Sequence, residues 1–339
     1  MTIGLLTAGG DCPGLNAAIR GVVTRAAAAG ASVVGFENGW SGLMDGRFRP
    51  LGREDVRGIS ARGGTILGTS RKDPYVHGGG LSSVTPALEA AGVGVLIVIG
   101  GDGSLRTAVQ LGTEGISIVG VPKTIDNDIA GTDVSFGFET AVQIVTDAID
   151  RLTTTAEAHH RLMLVEVMGR RSGWIALHAG IAGGAEAILI PELPYDLVDL
   201  SARLKARHQA GRTYSLVVVA EGVLAPSGEI VMAGTDQFGF ERYGGGSLLI
   251  ARELERLTGF ETRVVILGHL QRGGTPTAFD RILATRLGVK AAELAVSGQH
   301  GVMVAVQGGD IVAVDLATAC GEPRSVPKSR IEQARWFGV

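Results

Sequence analysis

Thiols are almost absent from this chain: Cys12 and Cys320 are the only two cysteines in 339 residues. Two cysteines build neither a disulfide framework nor a multi-cysteine metal site, and a reducing, cytoplasmic compartment is expected. Net charge is nearly absent as well, at −3 from 31 basic and 34 acidic side chains. Such a balance offers no global field for nucleic acid or an anionic membrane, so anion binding must be local. No apolar run approaches a membrane span; "VGVLIVIGG" from Val93 is about half of one and reads as a buried strand. The opening "MTIGLLTAGGD" lacks the basic region and long apolar core of a secretory signal. Two phosphate-binding fingerprints are missing too. There is no G-x-x-x-x-G-K-S/T, which excludes a P-loop enzyme, and no G-x-G-x-x-G in the first turn, which disfavours a nicotinamide enzyme.

Glycine, by contrast, is plentiful: 52 residues, about twice the usual share. The glycines stand between apolar runs without a period, as in the tight strand-to-helix turns of α/β proteins. "TIGLL" is a strand, "AAIRGVVTRAAAA" a helix closed by Gly30, and "SVVGF" a second strand, so the sheet is parallel. The theme recurs in "GVLIVIGGDGSLRTAVQL" and in "ISIVGVPKTIDND". In "ETAVQIVTDAIDRL", Val142, Val145, Ile149 and Leu152 share one helix face. "RLMLVEVMG", "AEAILIP", "YSLVVVAEG" and "TRVVILG" continue the strands. "GSLLIARELERLTG" is a helix with Ser247 at its N-cap and Gly259 at its stop. "GVMVAVQGGDIVAV" forms a hairpin, and the tail "SVPKSRIEQARWFGV" closes the chain as a helix.

Open α/β sheets bind ligands beyond the carboxyl ends of their strands. Six such ends here carry glycine, aspartate, arginine or histidine: "TAGGDCPG", "GGDGS", "PKTIDND", "MGRRSG", "AEG" and "GHLQRGG". Glycine lets a backbone approach a phosphate, and a helix N-terminus turns N–H groups toward it. A glycine turn alone is usually only a turn. Asp102 in "GGDGS" changes the reading, because a carboxylate among phosphate-facing amides needs a cation such as Mg²⁺. Asp126 and Asp128 suit a base and a magnesium ligand, the pair that phosphoryl transfer requires. Arg71, Arg161, Arg170, Arg171, Arg263, His269 and Arg272 supply the cations for bidentate phosphate capture.

In the order "GLLTAGGDCPGLNAAIRG", "GGDGS", "PKTIDND", "VEVMGR", "LGHLQRGG" and "DRILATRLG", the chain resembles the phosphofructokinase family over most of its length. The resemblance implies two similar three-layer α/β/α domains with mainly parallel sheets and the active site in the cleft between them. It places a phosphoryl-donor domain at 1–137 plus 271–318 and a sugar-phosphate domain at 138–270 plus 319–339. The implied reaction is the glycolytic, Mg²⁺-dependent transfer of a phosphoryl group from ATP to O1 of fructose 6-phosphate. Asp126 then matches the general base, and Asp102 the metal ligand with Asp128 in support. Gly10, Arg71 and Thr124 match groups that stabilise the moving phosphoryl. Gly101, Asp102, Gly103 and Ser104 match the donor-phosphate loop, with Arg71 and Lys72 at its edge. Thr124, Ile125 and Asp126 adjoin the sugar, as do Met168, Gly169, Arg170 and Glu221, with Arg170 also near the transferred group. Arg161, Arg263, His269 and Arg272 match the 6-phosphate pocket, with Leu270 and Gln271 in the same stretch. In this family Arg161 and Arg263 reach across from a neighbouring subunit, which implies a homodimer or homotetramer.

Two positions disagree on the phosphoryl donor. Gly103 is the small residue of ATP users, whereas Lys123, which stands beside the catalytic stretch, is typical of pyrophosphate users. Space constrains more than one flexible cation does, so ATP is the expected donor and pyrophosphate the alternative. Sedoheptulose 7-phosphate is an alternative acceptor. A non-catalytic sugar-phosphate sensor is disfavoured because no catalytic position is replaced. Arg20, Arg53 and Glu186 match part of an effector pocket, but Thr24, Thr153 and Ala210 stand where cations are usual. ADP activation and phosphoenolpyruvate inhibition are therefore expected to be weak or absent.

Overall fold

Thirteen strands are present in the computed structural model, which describes residues 1–235, 237, 239 and 241–334. They are β1 (Thr2–Ala8), β2 (Ser32–Phe36), β3 (Phe48–Pro50), β4 (Val93–Gly100), β5 (Ile118–Pro122), β6 (Leu162–Val167) and β7 (Ala187–Leu189). The series continues with β8 (Ser215–Ala220), β9 (Met232–Thr235), β10 (Glu241–Tyr243), β11 (Thr262–Ile266), β12 (Val302–Gln307) and β13 (Asp310–Asp315). The chain divides into two compact units, Met1–Thr140 with Arg272–Pro323, and Ala141–Gln271 with Arg324–Val339.

The first unit holds a seven-stranded sheet in the order β13-β12-β5-β4-β1-β2-β3. Its five inner strands pair in parallel, and β13 and β3 are antiparallel edges. The hairpin expected at the "GGD" turn is β12–β13. Along a strand, alternate side chains face opposite ways. Leu6 and Val98 pack in one core with Leu105 and Leu111 of the helix Asp102–Thr113. Their neighbours Leu5, Ile97 and Ile99 are equally buried. Both faces are covered, so the unit is three-layered. The helices Leu15–Ala28 and Ala278–Val296 meet at two glycines: a Cβ on Gly21 would lie 2.6 Å from the Thr285 carbonyl oxygen, and one on Gly288 2.3 Å from that of Ala18.

Sheet order places the site. From β1 the chain moves outward to β2, and from β4 outward the other way to β5. The loops after β1 and β4 therefore diverge and leave a crevice at this switch point. Register aligns Ala8 with Gly100 and Gly100 with Pro122, so all three strands deliver their polar turns at one level.

The second unit has a smaller, wholly parallel sheet, β11-β6-β8-β7, and the separate hairpin β9–β10. Two local expectations are corrected here. Gly245, at φ 92°, caps the helix Gly246–Thr258, while the Ser247 hydroxyl donates to Glu166 instead. The Glu166 carboxylate also accepts the N–H groups of Gly245 and Ser247, so it caps that helix from β6. On the helix Phe138–His159 the fully buried row is Ala141, Val145, Ile149 and Ala156. Val142 and Leu152 are half-buried at its margin. The C-terminal helix runs Lys328–Ala334, residues 325–327 before it are irregular, and residues 335–339 of the expected tail lie outside the described residues.

Glu166 gives a first prediction. Glu166→Ala leaves two backbone amides and a hydroxyl without their acceptor, each worth about 1–3 kcal/mol when buried. We expect a stability loss of roughly 3 kcal/mol after partial relaxation, read as a lower urea midpoint. An unchanged midpoint would show that the helix N-terminus is held by other means.

Candidate active site

Three loops of the first unit meet at the ends of β1, β4 and β5. Gly9, at φ 83°, donates its N–H to the Ser70 carbonyl at 2.9 Å and accepts from the Thr69 hydroxyl at 2.7 Å. Arg71 and Lys72 thus leave the chain beside this turn, and Asp73 next to them accepts from the Thr107 hydroxyl at 2.5 Å. A Cβ on Gly9 would meet Ser104 Oγ at 3.2 Å and Lys123 Nζ at 3.5 Å, so the two turns and the lysine touch. Gly10 packs against the end of Arg272, whose Nη1 lies 2.7 Å from where a Cβ would stand.

Asp102 opens the helix Asp102–Thr113 just after Gly101 and pairs with Arg106 at 2.9 Å, an i,i+4 contact. Gly103 is exposed, and nothing lies within 4 Å of where its Cβ would stand. Open space at Gly103 is the geometric form of the small-residue argument. Among the described residues no cluster of three or more His, Cys, Asp or Glu side chains exists to hold a metal.

The stretch after β5 is unusually buried for its polarity. Lys123 is 3% exposed and Asp126 4%. Lys123 Nζ donates to the Gly10 carbonyl, and its N–H to the Gly100 carbonyl at 2.9 Å. Burial pulls the ammonium pKa down to about 8, against which the Asp126 charge acts in part. Thr124 Oγ1 accepts the Asp126 N–H at 3.1 Å, and the Ser135 hydroxyl donates to the Thr124 carbonyl at 2.8 Å. Asn127, in the left-handed region at φ 55°, accepts the Ser135 N–H at 3.0 Å. These bonds hold Thr124, Ile125 and Asp126 in one fixed turn, and Asp128 follows half-buried.

In the second unit, the end of β6 gathers Met168, Gly169, Arg170, Glu221 and Gln271. Gln271 is fully buried and accepts the Met168 N–H at 3.2 Å. Arg170 is left-handed, at φ 52°, and its N–H reaches Glu221 Oε1 at 3.0 Å. A Cβ on Gly222 would lie 1.8 Å from the Arg170 carbonyl oxygen, so glycine is required where that carbonyl packs. His269 and Leu270 are exposed on the short 3-10 turn Gly268–Arg272.

Arg161 and Arg263 are not in that gathering. They stand at the opposite ends of β6 and β11, where both pair with Glu261, Arg161 at 3.0 Å. The six residues of β6 lie between Arg161 and Met168, seven steps of ~3.3 Å and so about 23 Å. Arg272 belongs to the first unit, where its guanidinium is buried and donates to the Asp11 carbonyl at 3.2 Å. Glu186 is engaged by Arg207 and by the Leu216 N–H.

The sequence profile that describes phosphofructokinase matches residues 2–295. The chain belongs to the phosphofructokinase family. Among curated relatives, a pyrophosphate–fructose 6-phosphate 1-phosphotransferase of Amycolatopsis methanolica is 52% identical over 99% of both chains. An ATP-dependent 6-phosphofructokinase of Corynebacterium efficiens is 51% identical over 97% of this chain and 96% of its own. Among solved structures, the phosphofructokinase of Pichia pastoris in the T-state superposes with a TM-score of 0.82 at 34% identity. That match covers 94% of this chain and 35% of the much longer Pichia chain.

Within this phosphofructokinase, two contributors escaped the motif reading. Glu166 carries a signal in hindsight, since an acid inside the buried strand "LMLVEV" must find partners. Thr69 carries none, because nothing local marks a threonine whose hydroxyl serves a turn 60 residues away.

Proposed function

We infer that this phosphofructokinase transfers the terminal phosphoryl group of ATP to O1 of fructose 6-phosphate, yielding fructose 1,6-bisphosphate. The observation that carries the reading is the buried Asp126, held in a turn by Thr124 and Ser135 beside the buried Lys123. Asp126 accepts the O1 proton as O1 attacks the terminal phosphorus and the bond to the bridging oxygen breaks. Thr124, Arg170, Arg71 and the Gly10 backbone counter the charge on the moving group. Gly101 to Ser104 cradle the donor phosphates at a helix N-terminus, with Lys72 at their edge. Met168, Gly169 and Glu221 orient the sugar, with Gln271 buried behind them.

Asp102 and Asp128 suit Mg²⁺. This ion keeps most of its waters and takes one or two carboxylates with donor phosphates, so no larger ligand cluster is needed. When bound, it supplies charge neutralisation between the donor phosphates. The 6-phosphate falls to His269 and, from a second copy of the chain, Arg161 and Arg263, in a homodimer or homotetramer, while Arg272 stays engaged with the Asp11 carbonyl in the first unit. Free cysteines, Cys12 buried and Cys320 half-buried, fit a cytoplasmic enzyme, and no helix among the described residues is long and apolar enough to cross a membrane.

Pyrophosphate as donor is the second reading, favoured by Lys123. Its ammonium is engaged with a carbonyl inside the turn, whereas the space at Gly103 stands open, so ATP remains the proposal. The purified protein with fructose 6-phosphate and Mg²⁺ should form the bisphosphate with ATP. Product with pyrophosphate alone would reverse the donor assignment.

A further inference from the structure

Three consecutive carbonyls of the turn after β1 each receive one side-chain hydrogen bond. Thr69 Oγ1 donates to Gly9 at 2.7 Å, Lys123 Nζ to Gly10, and Arg272 Nη1 to Asp11 at 3.2 Å. The three donors come from distant parts of the sequence, and both cations are buried, at 3% and 9% exposed. Burying two cations is costly unless strong partners receive them. Here the partners are backbone oxygens of a single turn.

A trans peptide is planar, so fixing one carbonyl fixes the next residue's N–H in the opposite direction. Holding the carbonyls of residues 9, 10 and 11 therefore turns the N–H groups of Gly10, Asp11 and Cys12 away from the three side chains. Among the described residues, none of those N–H groups donates a hydrogen bond within the protein. Successive unpartnered amides of this kind form an anion-facing concavity.

We propose that Thr69, Lys123 and Arg272 form a backbone clamp that pre-orients the amides of Gly10 to Cys12 toward the transferring phosphoryl group. Thr69 is thereby a positioning residue. Lys123 acts through the Gly10 carbonyl and not by choosing the phosphoryl donor. This rests on the phosphotransfer reading above. It also explains why a lysine can stand beside a site with room for a nucleotide: its charge is satisfied inside the turn and serves either donor alike.

The test uses Thr69→Val, which keeps the shape and removes the hydroxyl, with Thr69→Ser as the conservative control and Lys123→Met as the second arm. We expect kcat to fall about 10- to 100-fold, the scale of a small misplacement of catalytic groups, with whichever donor the wild type uses. KM values for donor and sugar should change less than about threefold, and Thr69→Ser should restore kcat. The Gly9 amide, held on the Ser70 carbonyl, should exchange hydrogen about tenfold faster in Thr69→Val, reporting a loosened turn. Wild-type kcat in a folded Thr69→Val protein overturns the clamp. A Lys123→Met effect confined to the pyrophosphate KM, with kcat unchanged, overturns the assignment of the lysine. Should the wild type transfer phosphoryl from neither donor, the proposed function fails while the exchange measurement still judges the clamp. Unchanged exchange at Gly9 then rejects it.

Discussion

Asp126→Ser lowers turnover by about 10²–10⁴-fold, the range expected for losing a general base, while fructose 6-phosphate affinity changes far less. The carboxylate is buried in a turn already held by Thr124, Ser135 and Asn127. Those bonds run between backbone groups and the side chains of residues 124, 127 and 135, so they survive the substitution. The Asp126 N–H still finds Thr124 Oγ1, and the serine occupies a preformed place without the ability to take a full proton. The loss should therefore fall on kcat and on kcat/KM equally, the signature of a group that acts only in the transition state. Initial-rate kinetics in both substrates, with sugar binding measured separately, decide the matter. Weakened sugar binding with intact turnover would reassign Asp126 from base to sugar ligand.

Arg161→Ala, alone or with Arg263→Ala, raises the fructose 6-phosphate KM strongly and leaves donor KM unchanged. A charge-assisted hydrogen bond contributes about 1.5–3 kcal/mol, which corresponds to roughly 10- to 150-fold in affinity per arginine. Both guanidiniums lie at the starts of β6 and β11, and the gathered residues Met168, Arg170 and Glu221 lie past the strand ends, about 23 Å away. One copy of the chain cannot bring both sets to one sugar phosphate. At fructose 6-phosphate well below the raised KM, mixing inactive Asp126→Ser subunits with Arg161→Ala subunits should therefore restore activity that neither has alone, through sites that combine an intact base with a neighbour's intact arginine. A mixture no more active than its parents would place the two arginines outside the site.

How legible all this was in the residues depends on range. Strands and turns are written locally: "VGVLIVIG" followed by "GDGS" could only be a buried strand opening onto a glycine turn and a helix, and so it is. The role of Asp126 could be argued from "TIDND" because the turn that holds it closes over a dozen residues. Ser247 misled because a serine before an apolar helix pattern resembles a cap. Glu166, 81 residues earlier, captured its hydroxyl and left the cap position to Gly245. Lys123 was read as a flexible cation beside the catalytic stretch. Its engagement with Gly10 could not be inferred, since the partner is a carbonyl 113 residues away and every residue has a carbonyl.

By itself, then, the sequence determined the α/β class, the family and the chemical identity of the groups at each strand end, because these depend on short-range periodicity and on motifs a few residues long. Only the tertiary structure decided which of those groups share a site. It joined Thr69, Lys123 and Arg272 on one turn, set Gly103 against open space, and separated Arg161 from Arg170 by the length of a strand. The physical reason is that sheet order and register, not spacing along the chain, set distances between strand ends, and a backbone carbonyl that accepts a buried cation leaves no mark in the residue that owns it.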